Sequence, residues 1–153
     1  MDDTRRGPLW DAAEGRAPMP PAEALLGWRA VRVEPGSGES EIEFDAREDF
    51  YNPAGNIQGG ILAAMLDDTM GPAAVALIDD PDVFLSTIEM KVSFIKPARA
   101  GKLTGHGRVV HRGRSIVFME GRLVDAEGEL IATATASARI VPMRPVEHAP
   151  PTA

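Results

Sequence analysis

The sequence predicts an α+β domain in which one buried helix lies against a long antiparallel sheet. Two observations carry this prediction. One stretch, from Gly59 to about Ile78, is long and apolar on nearly all sides, as a core helix is. Six others alternate apolar with polar residues, as half-buried strands do, and fall in the order β-β-α-β-β-β-β around that helix.

Residues 1–21 are rich in Pro, Gly, Arg and acids and read as a loose tail, with Leu9 and Trp10 able to dock on a neighbour. A short helical turn is expected over 22–27. Trp28 to Glu34 alternates as a strand, Pro35-Gly36-Ser37-Gly38 is a turn, and Ser40 to Phe44 completes a hairpin. The loop 45–58 is long, which in a compact domain points to function. Within the helix, Ala63, Asp67, Met70, Gly71 and Ala74 share one stripe. Pro72 cannot donate to the carbonyl of Asp68, so a kink is expected there. Asp79 and Asp80 oppose the helix dipole, so the helix should stop before them. Strands are then expected at Thr87 to Phe94, Lys102 to Val110, Ser115 to Val124 and Leu130 to Val141, with a hairpin turn at Asp125 to Glu129. The last strand puts Ala132, Ala134, Ala136 and Ala138 on one face, smooth enough for a helix to lie close. Residues 22–142 therefore make one domain, and 143–153 a C-terminal tail.

The composition narrows the function. A chain of 153 residues can bury about two-thirds of its unfolded surface in a single core. It has no cysteine, which removes thiol nucleophiles, disulfides and thiolate metal sites together. A net charge of −7 argues against a general nucleic-acid binder. Uninterrupted apolar runs fall far short of a membrane span and no signal peptide opens the chain, so a cytoplasmic protein with no membrane partner is expected. His106, His111 and His148 lack metal-ligand spacing, so no metal is expected. Nucleophile-elbow, phosphate-loop and dinucleotide fingerprints are absent from the sequence.

The segment Asn52 to Asp67 holds the chemistry. A glycine pair, Gly59 and Gly60, opens the helix, whose first N–H groups and positive dipole end suit a developing oxyanion. Asp67 is a carboxylate among Ile-Leu-Ala-Ala-Met-Leu, a costly placement unless it has a partner or a task. The plain alternative is a solvated helix acid or one paired with a buried arginine. Asp68 points about 100° away and cannot share its role. Gly59 and Asp67 are eight residues apart, roughly 12 Å along the helix axis. One carbonyl cannot readily touch both within one chain, whereas two antiparallel helices from two subunits would bring them together.

A second signal is electrostatic. Seven basic residues and no acid lie between Lys91 and Met119, a local positive field in an acidic protein. The turn Arg112-Gly113-Arg114 offers two guanidiniums and flexible N–H groups, which suit phosphates. A solvated strand surface balanced by acids elsewhere explains the same run.

These residues together resemble the hotdog-fold thioesterases of the phenylacetic-acid-pathway type. That family's motif is an Asn six positions before a His-Gly-Gly, with an Asp nine positions after the His. Asn52, Gln58, Gly59, Gly60 and Asp67 sit at those spacings, with Gln58 where most members have His. The strand Thr87 to Phe94 with Lys96-Pro97-Ala98-Arg99-Ala100-Gly101, and the segment Asp125 to Ala132, are also similar to the family. The likeness covers roughly residues 40–141. It implies an antiparallel sheet wrapped around a central helix, and a homodimer or homotetramer with sites shared between subunits.

The activity that the resemblance implies is hydrolysis of an acyl- or aryl-CoA thioester, with coenzyme A as part of the substrate and no other cofactor. Asp67 would act as base or nucleophile, the Gly59 N–H would hold the carbonyl oxygen, and Gln58 would assist as a donor without carrying a proton. Asn52 gains a place from the motif, although Asn-Pro is also a common turn starter. Thr87 would orient water, or is ordinary sheet surface. Phe94, His111, Arg112, Gly113, Arg114, Ser115 and Ile116 are assigned to the surface that meets coenzyme A. Two rival readings are a non-catalytic acyl-CoA sensor and a hotdog dehydratase or hydratase. The dehydratase usually needs a catalytic His that this helix lacks.

Overall fold

The computed structural model describes residues 6–143. The expected C-terminal tail beyond Met143, including His148, lies outside the described residues, as do residues 1–5. Ten elements follow one another: helices α1 (Pro8–Ala13) and α2 (Pro21–Leu26), strands β1 (Arg29–Val33) and β2 (Glu39–Ala46), a 3-10 turn at Glu48–Phe50, helix α3 (Gly59–Ile78), and strands β3 (Val83–Phe94), β4 (Gly101–Arg112), β5 (Ile116–Val124) and β6 (Leu130–Pro142). The strands form one antiparallel sheet in the order β1-β2-β4-β5-β6-β3. This is the hotdog layout, with α3 in the grip of the sheet.

Small residues set how close the helix lies. On β4 and β5, Gly105, Gly107 and Gly121 face α3. A Cβ at Gly107 would stand 2.6 Å from the Thr69 carbonyl oxygen, one at Gly121 2.9 Å from Met70 Cγ, and one at Gly105 would overlap the Thr69 side chain. Ala132, Ala134, Ala136 and Ala138 are all buried on the same side, as their alternation predicts. Met65, Leu66 and Met70 fill what remains and are fully buried. The two polar groups in this core are satisfied locally: Thr69 Oγ1 donates to the Met65 carbonyl at 2.7 Å, and Ser40 Oγ donates to the Thr69 carbonyl at 2.6 Å.

Pro72 does not end α3, because its missing N–H is replaced. The Asp68 carbonyl, which a normal residue 72 would have bonded, accepts instead from the indole N–H of Trp28 at 3.2 Å. The helix stops where the paired acids predict, with Asp79 in the left-handed conformation (φ 52°) closing onto the Val75 carbonyl. By length and composition alone α3 is apolar enough to cross a membrane, a test that a buried core helix also passes. Half of its apolar window is buried inside the protein.

The N-terminal segment differs from the expected loose tail. Pro8–Ala13 is helical and Trp10 is only 5% exposed, while Leu26, in the expected helical turn, is equally buried. Alternation could not reveal this, because the anchor, Trp10, is a single residue in a polar, proline-rich stretch.

Gly105→Ala should destabilise the fold by about 1–3 kcal/mol, the usual cost of overpacking. In urea unfolding, adding Thr69→Ala should recover part of that loss, since it removes the atoms the new methyl meets. Strict additivity of the two changes would show that the helix-to-sheet contact is not the cause.

Candidate active site

The loop before α3 is fixed by hydrogen bonds to its backbone. Asn52 Oδ1 accepts from the N–H groups of Ala54 (2.9 Å) and Asn56 (3.2 Å), Ile57 N–H donates to the Ala98 carbonyl, and Gln58 N–H donates to the Phe50 carbonyl. Arg99 Nη1 reaches the Gly55 carbonyl at 2.6 Å, and Ala100 N–H the Tyr51 hydroxyl at 3.0 Å. Asn52 thus holds the loop shape, the turn-forming role that Asn-Pro also predicted. Gln58 is the N-cap of α3 and is exposed; its side chain makes no capping bond to the helix. The first N–H groups of the helix, at Gly59 and Gly60, have no intrahelical acceptor. The ring of Phe94 lies over Gly59, where a Cβ would stand 3.1 Å from its Cζ, whereas beside Gly60 there is open space.

Two turns further on, Asp67 is half-buried and its Oδ1 accepts from Thr87 Oγ1 at 2.9 Å. A β-bulge makes this contact. The ladder between β3 and β6 shifts between Thr87 and Glu89, so that Thr87 and Met90 both lie opposite inward-facing alanines, Ala138 and Ala136. In an unbulged strand residues 87 and 90 would point to opposite faces. Ile88, the extra residue, is left 59% exposed on this edge strand.

Asp68 faces another way, as the helix geometry requires, yet it is not a bystander. Burial, with help from Glu23 and Asp67, pushes its carboxyl up to about 7. Asp67, Asp68 and Thr87 all line a cavity of about 260 Å³ between α3, β3 and the N-terminal segment. Of the helix stripe, Met70 and Ala74 are spent on this chain's own core, while Ala63, Asp67 and Gly71 stay partly exposed.

The positions assigned to coenzyme A do not come together in one chain. Phe94 pairs with Ala132, whereas Ile116 lies level with Arg139 and Ser86 across the same ladders, eight residues or roughly 26 Å along β3 from Phe94. Phe94 therefore belongs with the Gly59 end, and His111, Arg112, Gly113, Arg114, Ser115 and Ile116 with the Asp67 end. Of the seven cations, Lys96, Lys102 and Arg108 pair with Glu129, Glu43 and Glu120, and Arg99 is held in the loop. Lys91, Arg112 and Arg114 have no ion pair among the described residues. Gly113 closes the β4–β5 turn by donating to the Ile116 carbonyl at 2.8 Å, and the His111 ring lies 6.4 Å from that of Phe118.

Residues 54–132 match the family model described as Thioesterase superfamily. The chain belongs to that superfamily. Among curated relatives, this thioesterase is 33% identical over 113 residues to a candidate esterase of Saccharolobus solfataricus, covering 74% of this chain and 78% of that one. It is 32% identical over 110 residues to the proofreading thioesterase EntH of Klebsiella pneumoniae, covering 72% and 78%. A crystal structure of a phenylacetic acid degradation-related protein from Ralstonia eutropha JMP134 superposes with a TM-score of 0.78 at 37% identity, covering 84% of this chain and 96% of that one. Among its described residues the thioesterase has no cluster of His, Asp and Glu suited to a metal ion.

The raised Asp68 carboxyl makes stability depend on pH. Between about pH 4 and 7 the folded thioesterase keeps a proton that the unfolded chain has released, so stability falls as pH rises through that window. Asp68→Asn should therefore raise the melting temperature relative to wild type at pH 8 and change it little at pH 4. An equal difference at both pH values would mean that Asp68 carries no such shift.

Proposed function

We propose that the protein hydrolyses an acyl-CoA thioester to a carboxylic acid and coenzyme A, in sites shared between two copies of the chain. The observation that carries this is the Asp67 carboxylate, held by Thr87 in the wall of a largely apolar cavity in a thioesterase fold. The thioester carbonyl would lie against a helix start, its oxygen taken by the Gly59 N–H with the Gln58 amide beside it. Asp67 removes a proton from water as the water's oxygen bonds to the carbonyl carbon, or attacks that carbon itself to give an anhydride that water opens. In the first route the C–S bond breaks and the leaving thiolate takes the proton that Asp67 removed from water. In the second the C–S bond breaks as the anhydride forms, and the water that opens the anhydride supplies the proton the thiolate takes, leaving Asp67 as a carboxylate again. Gln58, unlike a histidine, contributes polarity and no proton.

The separation of Gly59 and Asp67 within one helix, roughly 12 Å, favours a partner supplying one of them. So does the exposed line of Gly60, Ala64 and the partly exposed Ala63 and Gly71, along which a second helix can approach. Arg112 and Arg114, free of ion pairs among the described residues and at the Asp67 end, suit the phosphates of coenzyme A. Gln58 in place of the usual His favours a second reading, a module that binds acyl-CoA without turning it over.

Asp67→Asn should lower kcat by about 10²–10⁴-fold on a CoA thioester that the wild type hydrolyses, with folding retained, because a carboxamide is neither base nor nucleophile. Release of free thiol across a panel of alkyl- and aryl-CoA esters measures it. Equal rates for the two proteins would remove Asp67 from the chemistry, and binding of the panel with no thiol release would favour the second reading.

A further inference from the structure

The cavity beside Asp67 has three walls, and one of them comes from a part of the chain outside the family match, which begins at residue 54. Helix α3 supplies Gly71, Pro72 and Val75, and the sheet supplies Leu85, Met119 and Ala138. The third wall is Leu9, Ala12, Met19 and Pro20 from the N-terminal segment. That wall is fastened at both ends. Trp10 is sunk into the core, and at the far end Leu26 is buried, Trp28 N–H bonds the Glu23 carbonyl at 2.9 Å, and Arg47 holds the Leu25 carbonyl at 3.2 Å. A wall held in this way is a fixed boundary.

Size and charge say what the boundary admits. A cavity of about 150 Å³ lined by apolar side chains takes up benzene. The cavity here is about 260 Å³, so it has room for one ring with a few further atoms, or for a medium chain. Its ionisable lining residues are Glu23, Asp67 and Asp68, with no Lys, Arg or His among them. An acyl tail that ended in a carboxylate would meet the charges of Glu23 and Asp67 and no cation to pair with.

We propose that the segment Gly7–Leu26 is the acyl-specificity element of this enzyme: with α3 and the sheet it walls a half-open cavity that favours a compact, uncharged acyl group over long chains and over acyl groups ending in a carboxylate. This rests on the thioesterase reading above for its catalytic consequence. The cavity and its occupant can be tested apart from it.

The experiment compares kcat/KM for acetyl-, hexanoyl-, 3-phenylpropanoyl-, hexadecanoyl- and adipoyl-CoA in the wild type, Ala12→Phe and Met19→Ala. Wild type should prefer hexanoyl-CoA to adipoyl-CoA, which has the same chain length, by at least tenfold, and should discriminate equally against hexadecanoyl-CoA. Ala12→Phe should lower the ratio of 3-phenylpropanoyl- to acetyl-CoA hydrolysis at least tenfold. Met19→Ala should move the hexadecanoyl-to-hexanoyl ratio the other way, and it carries the test if Ala12→Phe fails to fold. Both ratios staying within twofold of wild type would overturn the proposal. Trp28 lines the cavity, so its fluorescence reports filling without turnover. If no CoA ester is hydrolysed but 3-phenylpropanoyl-CoA perturbs that fluorescence in wild type and not in Ala12→Phe, the catalytic reading fails and the cavity assignment stands. If neither hydrolysis nor a fluorescence change is seen, both fall.

Discussion

The close approach of one helix to the middle of the sheet is the constraint on which this protein is built. Gly105, Gly107 and Gly121 leave no side chain between the strands and the turn of α3 around Thr69 and Met70. The alanine face of β6 extends the same surface toward the edge strand. Because the strand backbone meets the Thr69 and Met70 side chains directly, and at Gly107 the helix backbone itself, the helix cannot slide or rotate without colliding with a strand. Its polar atoms then have to be answered one by one. Ser40 answers the Thr69 carbonyl and Trp28 the Asp68 carbonyl that Pro72 leaves without a donor. An unanswered carbonyl there would cost about 1–3 kcal/mol.

A helix held so firmly acts as a ruler. It sets Gly59 under Phe94 at one end of the edge strand and Asp67 against Thr87 near the other, and neither can shift toward its counterpart. The bulge at Ile88 belongs to the same scheme, since it turns Thr87 inward and leaves an apolar side chain on an open edge. In the proposed shared site, what one chain separates a second antiparallel chain would bring together. The same separation divides Phe94 from the Arg112–Arg114 turn. A ligand long enough to span carbonyl, pantetheine and nucleotide would touch both ends only in such a pair.

Much of this is legible in local signals along the sequence. The apolar, glycine-opened run sets the limits of α3, Asp79 and Asp80 set its end, and period-two alternation marks all six strands in their order. The features that local signals miss are those made by residues distant in sequence. Glycines at 105, 107 and 121 give no local signal of their partner, which is the turn of α3 at Thr69 and Met70. A bulge changes which face Thr87 shows without changing any residue type. Trp10 anchors a stretch whose composition resembles a tail. By its position on the helix Asp68 reads as a neighbour with no share in the role of Asp67, and only the proximity of Glu23 and the surrounding burial reveal its raised proton affinity.

The claim at the centre of this account is that the catalytic site needs two chains, and subunit mixing tests it most directly. Asp67→Asn lacks the carboxylate and Gly59→Pro lacks the helix-start N–H, and each alone should be inactive once shown by circular dichroism to be folded. After exchange, confirmed by mass, a mixed dimer carries one site with an intact Asp67 and an intact Gly59. For random pairing in a closed two-fold dimer, about a quarter of wild-type activity should return. Full exchange with no recovered activity would contradict the shared site and require Asp67 to act on a thioester held by its own chain.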